Sequence, residues 1–286
     1  MTDFVDLHSH STASDGTFKP AEVVRLAQEA GLKALALTDH DTVDGLAEAL
    51  AAGEELGVEV IPGVEISTRY SGDTMHILGF FIDFCSGRLE ERLAVLKQAR
   101  KERNPKIVAK LNALGINITM EQVVRVSGGG QVGRPHIARA MMESGYVSRP
   151  QQAFDVYLKN GGLAYVQKYR FPPQEALEMI REAGGVPVLA HPFTLGLGSA
   201  AALKDLLRDL QAMGLAGIEV FYSDHTPEQE ALYFKLAQEL GLLVTGGSDF
   251  HGENKPNVTL GNIRSKNRLT YDLVTAMKEW RRKEYG

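Results

Sequence analysis

Residues 4–43 read FVDLHSHSTASDGTFKPAEVVRLAQEAGLKALALTDHDTV, and their punctuation decides the fold. Phe4–Leu7 and Ala34–Thr38 are apolar runs of strand length, and the KPAEVVRLAQEAG segment between them has helical periodicity. A strand, a helix and a second strand at this spacing make a parallel βαβ unit. The alternation recurs, with further runs at Val58–Ile61, His76–Ile82, Val186–Ala190, Gly217–Tyr222 and Leu242–Thr245 and helix-length segments such as SAAALKDLLRDLQAMG. Seven such runs favour an α/β barrel, closed or nearly so, over an open sheet.

The alternation breaks between about Gly87 and Val166, where helical segments follow one another, divided by Gly and Pro. We read this stretch as a helical insertion after the fourth strand. The expected division is a barrel catalytic domain at 1–86 and 166–286, with the insertion at 87–165 capping the active site. The GGG at 128–130 lacks the Lys and Ser/Thr of a P-loop and reads as a flexible turn.

A chain of 286 residues, 44% hydrophobic and 23% charged, can bury a sizeable core. Its formal charge of -5 provides no global basic surface, so extensive nonspecific binding to duplex nucleic acid is not expected and an anionic substrate must be met locally. Cys85 is the only cysteine, which excludes an intramolecular disulfide; a small buried thiol is the expectation. The start MTDFVDLHSH has no basic segment leading into a long apolar run, and the longest apolar stretches fall short of the roughly 20 residues that span a bilayer. The expected setting is cytoplasmic, with no membrane contact and no required protein partner.

Of the eight histidines, His8, His10, His40, His76, His191 and His251 lie on an expected strand or just after one. In a parallel barrel such strand ends converge on one face. His8 and His10, two apart on a strand, point to the same side and suit chelation of one cation. Asp15 follows in SDGT, Glu65 in PGVEIS, and Asp249 alternates with His251 in GSDFHG. Gathering these groups without a metal would leave their desolvation and repulsion uncompensated. Imidazole mixed with carboxylate favours Mn, Zn or Fe over Ca. Arg134 and His136 flank Pro135 at a helix start, where free amides and a guanidinium favour a phosphate. Lys168 and Arg170 are further basic candidates, and His225 can contact the substrate or assist the leaving group. Tyr222 and Phe250 read as core or rim packing.

DLHSHSTASDGT, LTDHDT, PGVEIS, LAHP and GSDFHG together resemble the successive motifs of the polymerase and histidinol phosphatase (PHP) family. The resemblance implies a distorted seven-stranded (β/α) barrel that hydrolyses phosphate esters with two or three divalent metals, manganese being the expected ion and zinc or iron the alternatives. It implies that His8, His10, Glu65 and Asp249 hold the first metal, Glu65, His76 and His191 the second, and Asp15, His40 and His251 the third. Glu65 would bridge two of them. QVGRPHIARAMMESG, YLKNGGLAYVQKYRF and FYSDHTPEQ resemble the branch of 3′,5′-nucleoside bisphosphate phosphatases, some members of which degrade short RNA from the 5′ end. The expected activity is removal of the 3′-phosphate from a nucleoside 3′,5′-bisphosphate, such as 3′,5′-bisphosphoadenosine to AMP, while Arg134 and His136 grip the 5′-phosphate. Cleavage of short single-stranded RNA from the 5′ end and hydrolysis of histidinol phosphate are the alternatives. Glu65, Asp249 and His225 are the expected catalytic residues. A noncatalytic metal-binding module is set aside, because every matched position carries a competent ligand.

Overall fold

The structure, a computed structural model, describes residues 3–71, 73–263 and 269–286. β1 (Phe4–Asp6), β2 (Leu32–Leu37) and β3 (Glu59–Tyr70) are parallel neighbours, joined by α1 (Pro20–Glu29) and α2 (Leu46–Leu56). Pro20 opens α1, where its missing N–H has no helical partner to lose, and Glu22 accepts from the Lys19 amide at 2.8 Å. In β2 every residue but Lys33 is buried, as befits a strand covered on both faces.

β3 does not end at Ile61. It runs on to Tyr70 and turns back into β4 (Asp73–Phe80), pairing antiparallel from Gly63 with Phe80 to Tyr70 with Asp73. The expectation of uniformly parallel units fails here, and PGVEIS lies in the middle of a strand rather than at its end. The physical reason is that the 14 residues between Ile61 and His76 carry no helical period and are themselves strand, leaving two residues between Tyr70 and Asp73, enough for a hairpin but not for a crossover.

Between β4 and the next strand stand α3 (Gly87–Ala113), α4 (Met120–Val126), α5 (Arg134–Glu143), α6 (Pro150–Ala153) and α7 (Pro173–Glu182). β5 (Val186–Leu189) is antiparallel to β4, after which α8 (Ala200–Ala212), β6 (Gly217–Tyr222), α9 (Pro227–Leu240) and β7 (Leu243–Gly247) restore the parallel pattern. β8 (Leu269–Thr270) is antiparallel to β1 and α10 (Asp272–Tyr285) follows it. Among the described residues the sheet has eight strands, in the order β7-β6-β5-β4-β3-β2-β1-β8, where seven were expected. The two-residue β8 is too short to register as a sequence pattern.

The sheet nearly closes into a barrel. Leu7 N donates to Gly246 O at 3.3 Å, Asp249 N to His8 O at 2.9 Å and His10 N to Phe250 O at 2.9 Å, joining the chain after β1 to β7 and the chain that follows it. A Cβ on Gly247 would lie 2.4 Å from His8 Cβ, so glycine permits this approach. The period of two sorts the strand residues into layers. Ala34, Ala36, Leu78, Phe80 and Val188 pack with Val274 and Met277 of α10, while Leu35, Leu37 and Val64 pack with the other helices around the sheet. A third cluster, including Ile107, Leu111, Val123, Ile137, Met141 and Leu158, lies among the helices after β4.

Two local expectations are corrected. A Cβ on Gly130 would lie 1.6 Å from Thr12 O, and Gln131 N donates to Ala13 O at 3.1 Å. The glycine triplet is therefore a close docking point against the loop after β1, not merely a flexible turn. Cys85 is exposed rather than buried, because it sits in the turn into α3, its N–H donating to Asp83 Oδ1 at 3.1 Å. Among the described residues, no helix is long and apolar enough to cross a membrane.

Candidate active site

The expected ligand residues converge on Glu65. Its carboxyl oxygens lie 3.2 Å from His8 Nε2 and from His10 Nε2, 3.1 Å from His40 Nδ1, and 2.9 Å from His76 Nδ1 and from His191 Nε2. Asp249 Oδ1 lies 3.1 Å from His10 Nε2 and 3.3 Å from His251 Nδ1, and Asp15 Oδ1 lies 3.4 Å from His251 Nε2. Among the described residues three groups can each hold a cation: His8, His10, Glu65 and Asp249; His10, Asp15, His40 and His251; and His40, Glu65 and His76. The first has the four residues expected for one metal. The others regroup the rest, with His191 Nε2 standing 3.3 Å from His76 Nδ1.

This donor set fits divalent metals. Buried His10 Nε2 and His40 Nδ1 find no hydrogen-bond partner, although both face Glu65. One carboxylate cannot satisfy so many imidazole nitrogens, whereas cations among them would use the lone pairs and offset the acids. The charges follow the same pattern. Burial opposes a charge on His8, but Glu219, Asp249 and Glu65 outweigh it and raise the imidazole well above its ordinary range. Burial likewise loses on His10, where Asp249 and Glu65 lift the value to about 9, but wins on His40 and His76. Glu65, Asp249 and Asp15 stay below the carboxylate range despite burial, held there by histidines and, for Asp249, first by Lys255.

Three non-glycine residues at the site have left-handed backbones: Asp41 (φ 55°), His191 (φ 24°) and Asp249 (φ 56°). Such positions cost about 1–3 kcal/mol each and persist only where neighbours hold them. Here each amide is tied down, Asp41 N to Glu65 O at 2.9 Å, His191 N to Glu219 Oε2 at 2.7 Å and Asp249 N to His8 O at 2.9 Å.

Against the cluster, with Asp15, His40 and His76 in its wall, lies a cavity of about 170 Å³ that is also lined by Arg100, Arg103, Arg134, Lys168 and Arg170. Buried Asp41 answers part of this charge, accepting from Arg100 at 2.6 Å and from Lys168 at 2.7 Å. Arg134 Nη1 donates to Leu158 O at 2.9 Å, and Arg170 Nε is buried without a partner. Burial, then Arg100, Arg134 and Arg170, push Arg103 down to about 8, while burial and Arg100 push Lys168 down to about 7. Cations crowded this closely call for an anion. Sulfate, which does not titrate in this range, is expected to bind less tightly as the pH rises through about 7, because Lys168 loses its proton. Calorimetry of the native protein and Lys168→Met checks this, and an identical pH slope in both would exclude Lys168 as the cause.

The structure separates residues that were expected to work together. Residues two apart on a helix point about 200° apart, so His136 cannot share the cavity with Arg134. His136 Nδ1 instead accepts from Gly133 N at 2.9 Å, and the side chain lines a separate polar depression with Arg125 and Arg139. His225 is 1% exposed, its Nδ1 donates to Val220 O at 2.7 Å, and it packs against Phe193, Tyr222 and Tyr233. The chain after β6 folds this imidazole inward, away from the cleft where a leaving group would stand.

Other functional groups were not anticipated. Tyr222, read as packing, donates its hydroxyl to Asp249 Oδ2 at 2.6 Å, and Lys255 Nζ bonds the same oxygen. Phe250 does pack, stacked on Phe18. The open cleft above the cluster, about 810 Å³, continues past Lys255 to Arg139, Arg149, Gln151, Asn254 and Asn257. Arg100 and Arg103 had a legible signal. Leu89, Leu93, Leu96, Ile107 and Leu111 form the buried stripe of α3, and the two arginines occupy its middle positions.

The PHP domain pattern matches residues 6–159. A 5′-3′ exoribonuclease of Haemophilus influenzae is 38% identical over 251 residues, 88% of this chain and 91% of that protein. A 3′,5′-nucleoside bisphosphate phosphatase of Chromobacterium violaceum is 35% identical over 259 residues, 90% of each. Among solved structures, a chain from Bifidobacterium adolescentis assigned as a metal-dependent phosphoesterase superposes with a TM-score of 0.86 at 32% identity, covering 96% of this chain and 95% of that one.

Proposed function

The chain belongs to the PHP domain family of phosphoesterases, and from that premise we propose that it removes the 3′-phosphate from nucleoside 3′,5′-bisphosphates, such as 3′,5′-bisphosphoadenosine to AMP. The observation that carries this reading is the shared wall between the ligand cluster and the basic cavity. A substrate with two phosphates can place one at each, and the cavity cations match a 5′-phosphate. Histidinol phosphate has no second phosphate and would leave those cations unmatched.

In this reading His8, His10, Asp15, His40, Glu65, His76, His191, Asp249 and His251 hold the cations, with manganese as the ion. The bound cations supply Lewis acidity toward the scissile phosphate. Glu65 and Asp249 offset their charge, Tyr222 and Lys255 orient Asp249 through Oδ2, and Arg134, Lys168 and Arg170 bind the distal phosphate. The helices at 87–165 act as a cap that brings Arg100, Arg103 and Arg134 to the cluster. Removal of nucleotides from the 5′ end of short RNA is a second reading. It uses the same anchor, and the cleft running on to Arg149 and Asn257 favours it by leaving room for the rest of a chain.

The test compares adenosine 3′,5′-bisphosphate, adenosine 3′-monophosphate and a short 5′-phosphorylated RNA as substrates with Mn²⁺. Charge-assisted hydrogen bonds contribute about 1.5–3 kcal/mol, so Arg134→Ala is expected to lower kcat/KM for the bisphosphate by roughly one to two powers of ten and to spare the monophosphate. Arg134→Lys should restore only part of the loss, since it keeps the charge without the planar fork. An equal loss on both nucleotides would place Arg134 at the scissile phosphate and sink the two-phosphate reading. Faster turnover of the RNA than of the bisphosphate would favour the second reading.

A further inference from the structure

We infer that Glu219 is a positioning residue, a buried carboxylate that presents His8 and His191 to the metals while binding none itself. This rests on the metal reading of the cluster proposed above. Glu219 is 0% exposed on β6, a strand that contributes none of the proposed ligands. Its Oε1 lies 2.8 Å from His8 Nδ1, and its Oε2 accepts from the His191 backbone N–H at 2.7 Å. A carboxylate can only accept, so Nδ1 of His8 must be the donor, which leaves the lone pair of a neutral imidazole on Nε2. That Nε2 is the atom that faces Glu65 and Asp249. The other oxygen acts on the backbone, securing His191 where its φ of 24° would otherwise be costly.

The strand is shaped for this. The β6–β7 register shifts between Glu219 and Phe221, and such an irregularity re-aims side chains. Glu219 and Tyr222, three residues apart, thereby both reach the cluster, Glu219 gripping ligands that follow β1 and β5 and Tyr222 gripping Asp249 after β7. Both Glu219 oxygens are engaged by these donors, and Glu219 belongs to none of the three cation groups found among the described residues. Glutamine would offer one acceptor and one donor, so it cannot serve both N–H groups.

The experiment titrates Mn²⁺ into the full chain against a competing chelator for the native protein, Glu219→Gln and Glu219→Asp, and records melting temperatures with and without Mn²⁺. Orienting carboxylates of this kind change metal affinity roughly tenfold to a hundredfold, and a loss of that size is expected in Glu219→Gln, with a smaller Mn²⁺-induced rise in melting temperature. Glu219→Asp, which keeps the charge but shortens the reach, should also bind Mn²⁺ more weakly than the native protein. Native affinity in Glu219→Gln overturns the assignment, as does a lower melting temperature with an undiminished Mn²⁺-induced rise, which would make the residue structural. Failure of both variants to fold counts against it for the same reason. A native protein that takes up no Mn²⁺ would overturn the metal reading instead.

Discussion

Replacing Glu65 by Gln is expected to slow phosphate release by about a thousandfold or more, because metal charge stabilisation supplies several kcal/mol and each tenfold is about 1.4 kcal/mol. The change in side-chain volume is trivial, so the effect must come from charge and hydrogen-bonding character. Glu65 is fully buried, and His8, His10, His40, His76 and His191 all point nitrogens at its two oxygens. An amide keeps one acceptor and turns the other position into a donor, which faces imidazole nitrogens and repels a cation. Metal content by elemental analysis, taken with turnover, checks the cause. Near-normal turnover with a full metal complement would remove Glu65 from the centre of the site.

Much of this site was legible because metal ligands leave a spacing behind. His8 and His10 alternate just after β1 rather than on it, Asp249 and His251 alternate after β7, and short motifs mark both. The route taken by Glu65 was less legible. PGVEIS reads as the end of a short strand, yet Ile61 to Thr68 are largely buried in a long one, and the missing helical period before His76 was the clue. Arg100 and Arg103 interrupt an apolar stripe at stripe positions, a pattern that marks cations on a buried face. Glu219 offered a similar hint, being a Glu inside GIEVFY, a strand otherwise nearly all apolar. His225 and Lys255 gave none, since their placement depends on the path of loops, and no periodicity governs loops. Arg134 and His136 show the opposite case, in which closeness in sequence does not bring a shared direction. A helix turns residues two apart to nearly opposite faces.

Asp41→Asn is expected to destabilise the fold by about 3–5 kcal/mol, the usual penalty for removing one partner of a buried ion pair. Asp41 is 0% exposed and accepts from Arg100 at 2.6 Å, Lys168 at 2.7 Å and Ser67 N at 2.7 Å. Asparagine tolerates the left-handed backbone that this position requires, so the substitution removes charge without adding strain. Lys168 and Arg100 hold Asp41 well below the carboxylate range against the pull of burial. A carboxyl with a depressed folded value stabilises the fold above its unfolded value, about 3.9, and loses that contribution as the pH falls through the folded one. Lys168 has the opposite proton balance. It is already lowered to about 7, and without Asp41 it drops further, so folding releases its proton over a wider range. Once Asp41 is ionised in both states, above about pH 5, the deficit in urea denaturation should narrow toward neutrality, because the unfolded variant then holds more protons than the folded one. A deficit below about 1 kcal/mol, or one flat across this range, would show that Asp41 does not offset the basic cavity. At a pH where Lys168 keeps its proton, sulfate affinity should rise in Asp41→Asn, since the substitution weakens the fold yet leaves Arg100, Lys168 and their neighbours with no competing anion.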